Sequence, residues 1–385
     1  MKRFYKDRKL GIVGGGQLGR MLIQAGIDLN IHTEVLDPNP EAPAKPFAHS
    51  FTQGSLTDFD AVYNFGKDLD VLTIEIENVN TEALAKLASE GKTVYPDPGI
   101  IQLIQDKREQ KQFLDEMGLP TAPFRLVDNK ADVLNMKDFL PAVNKLGRAG
   151  YDGKGVQVLR TEADLEKAFD APGILERFID FEKELAVLVA RNPKGDTDVF
   201  PVVEMAFHPE HNLVEYLFAP ASISMNKARE AQDMARAIVE KLSYVGIMAV
   251  EMFLTKDGEL LINEMAPRPH NSGHHTIKAC FTSQYEQHLR AVLDLPLGST
   301  QQSSPAALVN LLGEADHKGS AVYTGIEEAL HIPGVYPHVY GKAETKPFRK
   351  MGHVIILDQD LADLQMKAKQ VKHLIKVVAE EGVKP

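Results

Sequence analysis

The chain is poor in cysteine, has no tryptophan and carries no surplus of positive charge. A single cysteine, Cys280, in 385 residues excludes an intramolecular disulfide and fits a reducing compartment. It reads as small apolar core filling. Lys and Arg number 43 against 54 Asp and Glu, a formal net charge of −11, which argues against a nucleic-acid-binding face. A nucleotide-sized anion must then be held by local cations rather than by the field of the whole molecule. No apolar run approaches the ~20 residues that span a bilayer. The basic start leads straight into Leu10-Gly-Ile-Val-Gly without the apolar stretch of a signal peptide, so a cytoplasmic location is expected. Internal repeats and low-complexity tracts are also lacking. What remains is ordinary globular material, 44% hydrophobic and 25% charged, long enough for two or three domains.

Against that background one segment stands out. Two apolar runs, 246–255 and 260–265, flank Asp257-Gly258, a strong hairpin signal. A two-residue turn there sets Glu251 opposite Glu264. Like charges in cross-strand positions repel, and apolar neighbours worsen the cost. A divalent cation bridging the carboxylates would remove it, and Mg²⁺ with nucleotide phosphates takes such ligands. The polar stretch Ala266-Pro-Arg-Pro-His-Asn-Ser-Gly-His-His275 follows at once.

Residues 10 to about 95 alternate strand and helix: strands at 9–13, 33–37 and 71–77, helices at about 17–28 and 81–90, the last capped by Thr81. That alternation predicts a parallel sheet with helices on its faces. Tyr95-Pro-Asp-Pro-Gly99 marks a boundary, and a helix follows over about 106–117. From Thr121 to about Leu295 strands and helices mix without regular alternation, which suggests an α+β unit of antiparallel sheets. Polar Leu297–Pro305 reads as a linker. Strands near 307–312, 338–342 and 352–357 and an amphipathic helix over about 360–381 complete the chain.

Other motifs have competing readings. Gly14-Gly-Gly-Gln-Leu-Gly19 satisfies G-x-G-x-x-G between a strand and a helix, with Asp37 ending the next strand. This admits a dinucleotide-binding dehydrogenase, or a turn that only packs helix on strand. Gln17 is the one side chain in that loop able to read a ligand by hydrogen bonds. Gly150-Tyr-Asp-Gly-Lys-Gly155 between two strands, with Lys145, Arg148 and Lys154 nearby, suits a flap over phosphates; the alternative is a plain hairpin. Glu176 and Glu184 taken alone read as solvated strand-edge acids. His274-His275 lacks the ligand spacing of a zinc site. Lys342, Lys346, Arg349 and Lys350 form either an anion site or a solvated loop. Alternation puts Glu75 and Glu77 on one face at the end of their strand.

A glycine-rich loop flanked by lysines, followed by a glutamate and an Asn-Glu pair on a hairpin, resembles the ATP-grasp superfamily. Within it the chain is similar to the 5-(carboxyamino)imidazole ribonucleotide synthetase family. The matching segments are 14–21, 75–79, 150–155, 263–274 and 340–353, in family order. The resemblance implies a mixed α/β and α+β architecture of three domains: an N-terminal Rossmann-like parallel-sheet domain (1–100), a central ATP-grasp domain (101–297) and a small β-rich C-terminal domain (298–385). It implies ATP-dependent carboxylation of 5-aminoimidazole ribonucleotide by bicarbonate through carboxyphosphate, with Mg²⁺ (or Mn²⁺) and a homodimer. Another ATP-grasp enzyme, such as a formate-dependent glycinamide ribonucleotide transformylase, is the alternative.

Carried over by motif, Glu251 and Glu264 hold the metal. Arg108, with Lys107 as its competitor, joins Lys145, Gly150, Tyr151, Asp152, Gly153, Lys154, Gly155 and Val156 around the nucleotide phosphates. Glu176, Arg177, Phe178 and Ile179 form the adenine hinge, Glu184 meets the ribose, and Asn263 and Glu264 complete the ATP set. Gln17, Glu77, Asp152, Asn271, Ser272, Lys342 and Arg349 are implied as contacts for the ribonucleotide, the last two for its phosphate. Tyr151, Asp152, Lys154, Arg268 and His270 make up the catalytic group. One departure is Phe207 where family members commonly carry a His, with His208 one place later. Asn144 before Lys145, where apolar residues are usual, has no reading from the sequence.

Overall fold

The computed structural model describes residues 8–148, 150, 155–207 and 214–380. The expected sites Tyr151, Asp152, Gly153 and Lys154, and His208, lie outside the described residues.

The first unit is a parallel sheet in the order Ser50–Gln53, His32–Asp37, Lys9–Val13, Val71–Ile74, Thr93–Val94. Its central strands, Lys9–Val13 and Val71–Ile74, are buried on both faces because helices cover both. One face packs against Phe59–Gly66 and Thr81–Ser89 through Val62, Phe65, Ala83, Leu84 and Leu87. The other packs against Gln17–Ile27 and, unforeseen, against Tyr285, Leu289 and Val292 of the later helix Gln284–Val292. His288 of that helix ties two units together. Its Nδ1 accepts from the Ile247 amide (3.1 Å) and its Nε2 meets Thr73 Oγ1 (2.7 Å).

The central unit holds an antiparallel sheet in the order Phe124–Val127, Gly173–Arg177, Ala142–Leu146, Val156–Leu159. Facing it is a larger sheet in the order Leu260–Ala266, Gly246–Thr255, Phe181–Arg191, Val203–Phe207, Val214–Ala219, Ala306–Leu312, Lys350–Leu357, Val335–Val339. This sheet runs through the polar 297–305 stretch without a break, because Val214–Ala219 pairs directly with Ala306–Leu312. The polar residues there are satisfied by the central unit: Thr300 Oγ1 donates to Asp198 Oδ1 (3.1 Å) and Gln302 Nε2 to the Ala219 carbonyl (2.7 Å).

Several local expectations need correction. Ser50–Gln53 gave no strand signal, since it is a polar edge strand. The fourth strand of the parallel sheet stops at Ile74, so Glu75 and Glu77 do not share a strand face. Asn80, not Thr81, caps Thr81–Ser89: its Oδ1 accepts from the Ala83 amide (2.8 Å). The last helix is Leu361–Leu374, and Lys376–Ala379 instead pairs as a strand with Gly319–Thr324.

The glycine loop shows why local pattern misleads. Glu75 points back under the loop, its Oε1 accepting from the Gly16 amide (3.0 Å) and its Oε2 from Gly19 (2.9 Å). Asp37 Oδ2 accepts from Gly15 (2.7 Å). The amide donors that a dinucleotide phosphate would use are thus occupied by internal carboxylates. A Cβ at Gly16 would lie 2.7 Å from Glu75 Oε1, so the close approach requires glycine. Glu75→Gln, with one acceptor oxygen for two buried amides, is expected to cost about 1–3 kcal/mol. Urea unfolding of the variant checks this, and an unchanged midpoint would remove the role given to Glu75.

Candidate active site

The hairpin forms, with Glu251 opposite Glu264 as expected, but by a different route. The loop comprises Lys256, Asp257 and Gly258, with the Thr255 amide donating to the Glu259 carbonyl (2.9 Å) and Gly258 at φ 81°. That longer loop shifts the register by one, so Met252 faces Ile262. A bulge at Asn263 then restores it, and Glu251 faces Glu264. The bulge matters chemically because it re-aims side chains. Neighbours that a regular strand would send to opposite faces both meet lysines of the cleft: Asn263 Oδ1 accepts from Lys145 Nζ (3.0 Å), and Glu264 Oε2 pairs with Lys107 (2.7 Å).

The cleft is a lattice of buried opposite charges. Glu176 sits between Lys145 (2.5 Å) and Lys111 (2.7 Å). Burial alone would raise its pKa, but the two ammonium groups hold it at about 2. Glu264 is likewise held below the ordinary range against burial, by Lys107. Among the described residues neither Glu184 nor Glu251 has a lysine ion pair of this kind. Burial and the Glu251 charge raise Glu184, and burial and the Glu264 charge raise Glu251. The expectation that Glu176 and Glu184 are solvated is therefore wrong; both are buried. Among the described residues no three His, Cys, Asp or Glu side chains are arranged to hold a metal ion alone. Glu251 and Glu264 offer a hard cation two oxygen donors, and the rest of its shell would come from ligand oxygens.

The four hinge residues divide. The amides of Arg177 and Phe178 donate to the carbonyls of Pro123 (2.8 Å) and Pro141 (2.9 Å). The Arg177 guanidinium lies over Phe139 (4.5 Å), away from the lysines. Arg108 also turns aside: with Arg148 it grips the buried Asp106, Nη2 to Oδ2 at 2.6 Å, so Lys107 is the cation of that pair that reaches the carboxylates. Asn144 proves to be a brace, its Nδ2 donating to the Ile174 carbonyl (3.1 Å) and its Oδ1 accepting from Phe169 (2.9 Å). Gly155 and Val156 close the flap on the strand side, Leu146 donating to the Gly155 carbonyl (2.9 Å), and Gly150 lies beside Gly155.

The segment 266–275 joins the hairpin to the first unit. Arg268 forms a two-pronged pair with Glu77, Nη2 to Oε1 at 2.8 Å and Nε to Oε2. Burial opposes the charge on Glu77, but Arg268 holds it at about 2. His270 Nδ1 accepts from the Ser272 amide (3.3 Å), which leaves the proton on Nε2, 3.5 Å from Glu251 Oε1. Burial, then the charges of Arg268 and Lys350, lower its pKa to about 3, so it is neutral near pH 7. Gln284, unmarked in the sequence, grips this loop: its Oε1 accepts from the His270 amide (2.9 Å) and its Nε2 donates to the His270 carbonyl (2.8 Å). Asn271 Oδ1 is buried without a hydrogen-bond partner among the described residues, as a ligand-facing acceptor would be. Lys342 donates to the Lys350 carbonyl (2.7 Å) and Arg349 to that of Glu344 (2.6 Å). Gln17 opens the helix Gln17–Ile27 and is half-buried.

Lys107 and Lys111 lie one turn apart on Lys107–Glu116, whose highly charged sequence hides them. Removing Glu176, the shared partner of Lys111 and Lys145, leaves buried positive charge. Glu176→Gln is expected to cost ~3–5 kcal/mol at pH 7. Because the Glu176 pKa is lowered on folding, its contribution is present above the ordinary carboxylate pKa and fades as pH falls towards about 2. Urea titrations of both proteins at pH 7 and pH 4 check the loss and its narrowing.

Comparison with known proteins agrees along the chain. A model of the ribonucleotide synthetase preATP-grasp domain matches residues 7–105, the ATP-grasp domain matches 112–285, and the phosphoribosylaminoimidazole carboxylase C-terminal domain matches 306–367. The N5-carboxyaminoimidazole ribonucleotide synthase of Synechococcus elongatus is 41% identical over 90% of this chain and 89% of its own. The longer chloroplastic phosphoribosylaminoimidazole carboxylase of Vigna aconitifolia is 39% identical over 92% of this chain, which spans 65% of that protein. The crystal structure of the Thermotoga maritima synthetase superposes with a TM-score of 0.89 at 43% identity, covering 97% of this chain and 100% of that one. The Aspergillus clavatus enzyme, solved with ADP and 5-aminoimidazole ribonucleotide, gives 0.87 at 33% identity, covering 96% and 99%. Similarity at this identity runs along nearly the whole chain, over the cleft and over the parallel-sheet unit joined to it by Arg268 and Glu77: the chain belongs to the N5-carboxyaminoimidazole ribonucleotide synthase family.

Proposed function

We propose that this chain uses ATP and bicarbonate to carboxylate the amine of 5-aminoimidazole ribonucleotide, releasing ADP and phosphate, in purine synthesis. The observation that carries the reading is the junction of two half-sites: the lysine-lined glutamate hairpin, and Glu77–Arg268 with His270 set against Glu251. The relative solved with ADP and 5-aminoimidazole ribonucleotide supports both ligands, and favours this reaction over a formate-dependent transformylase. A bicarbonate oxygen attacks the γ-phosphorus as the bond to ADP breaks, giving carboxyphosphate. The amine nitrogen then attacks its carboxyl carbon, phosphate leaves, and the nitrogen loses a proton.

Lys145 and Lys107 hold the phosphates, Lys107 filling the place expected of Arg108. Ile179, whose amide donates to no backbone carbonyl among the described residues, meets the adenine. Mg²⁺ on Glu251 and Glu264 would offset charge developing between the phosphates. Arg268, fixed by Glu77, and neutral His270, donating from Nε2, bind the anionic bicarbonate and the carboxyl group made from it. Gln17, Asn271 and Ser272 position the ribonucleotide, with Lys342 and Arg349 on its phosphate. Tyr151, Asp152 and Lys154 complete the site from the flap. The same reading takes the protein as a cytoplasmic homodimer with units 1–100, 101–297 and 298–385. Among the described residues no helix is long and apolar enough to cross a membrane.

The test is ADP release with Mg²⁺, ATP and bicarbonate, with and without 5-aminoimidazole ribonucleotide. The ribonucleotide is expected to stimulate it strongly. Glu264→Ala should lower the stimulated rate by ~10²–10³-fold. A folded, ATP-binding protein that shows no stimulation would overturn the assignment.

A further inference from the structure

Arg20 lies one turn beyond Gln17 on the helix Gln17–Ile27, on the same face. It reaches out of the first unit to the C-terminal segment. Its Nη1 stands 2.7 Å from where a Cβ on Gly341 would be, and Gly341 is left-handed at φ 77°. The left-handed φ favours glycine there, which leaves room for the guanidinium, and Lys342 follows directly. The Arg20 guanidinium lies over the Phe47 ring (4.8 Å), and its charge acts on Tyr323, as does that of Arg349. Tyr323 itself is anchored, its hydroxyl donating to the Met351 carbonyl (3.0 Å). Arg20 and Arg349 therefore come from two units to one tyrosine, and Lys342 follows the glycine that Arg20 touches, its Nζ over the Tyr340 ring (5.5 Å).

What sets Arg20 apart is the lack of a counter-charge. Among the described residues its side chain has no ion pair and no hydrogen bond, and no carboxylate is among the groups acting on it. Burial lowers its pKa. A half-buried guanidinium of this kind is costly unless an anion completes it, and its planar fork matches phosphate oxygens in pairs.

We propose that Arg20 is a third cation for the 5′-phosphate of the substrate, beside Lys342 and Arg349, and sets the preference for ribonucleotide over riboside. The inference rests on the function proposed above and adds to it a residue from the first unit. It makes the phosphate a tie between that unit and the C-terminal one.

Arg20→Met keeps the apolar stem over Phe47 and removes the charge. Its KM for 5-aminoimidazole ribonucleotide is expected to rise ~10–100-fold, the loss of charge-assisted hydrogen bonds, with the KM for ATP unchanged. Its kcat/KM for the unphosphorylated riboside should equal that of the wild type, so discrimination between the two substrates falls by the same factor. Arg20→Lys should recover part of the loss. Lys342→Met serves as the comparison. If it loses discrimination while Arg20→Met weakens both substrates equally, Arg20 only packs, and the inference fails while the function stands. If the wild-type protein does not use the ribonucleotide at all, both fall.

Discussion

The constraint on which the site depends is the like-charge pair Glu251 and Glu264, set in a cleft that also buries Glu184. Three carboxylates among apolar strands would be untenable without cations, and the protein supplies them unevenly. Glu264 has Lys107, and Glu176 has Lys111 and Lys145, whereas among the described residues Glu184 and Glu251 have no lysine ion pair, and both rise in pKa. The lattice is thus balanced at its rim and strained at its centre. In the function proposed above, a divalent cation with its phosphate ligands would relieve that strain and free Lys107 and Lys145 to turn to the phosphates.

The frame around this lattice is built from side chains that bond to backbone. His288 holds the hairpin strand to the first sheet, Gln284 grips both backbone groups of His270, and Asn144 braces the sheet that carries Lys145. Each is a buried polar group satisfied at both ends, so each fixes a geometry instead of only filling space. Precision at His270 follows from this: its ring is oriented by Ser272 while its backbone is clamped by Gln284.

Period and turn chemistry made much of this legible in the sequence. The parallel sheet, the hairpin and the flap strands were all readable, and so was the facing of Glu251 and Glu264. The facing was right through two compensating departures, a longer loop and a bulge at Asn263, neither of which local pattern encodes. Lys111 was hidden, and Lys107 stood only as the competitor of Arg108, because a run such as Lys-Arg-Glu-Gln-Lys-Gln reads as a solvated helix, and only tertiary contact shows which face is buried. Asn144, Gln284 and His288 carry no motif, since their partners are backbone groups distant in sequence. The continuity of the large sheet across 297–305 was invisible for the same reason.

The glycine loop draws these points together. Its sequence promises a phosphate at a helix N-terminus, yet Glu75 and Asp37 already satisfy the amides, so that end of the helix is closed to anions. The same helix then sends Arg20, one turn beyond Gln17, to the C-terminal segment at Gly341. An acidic protein that handles two phosphorylated ligands cannot attract them by its overall field and must give each its own cations. In the function proposed above, lysines between the two sheets of the central unit would serve one ligand and cations drawn from both flanking units the other, which would put the second ligand where the three units meet.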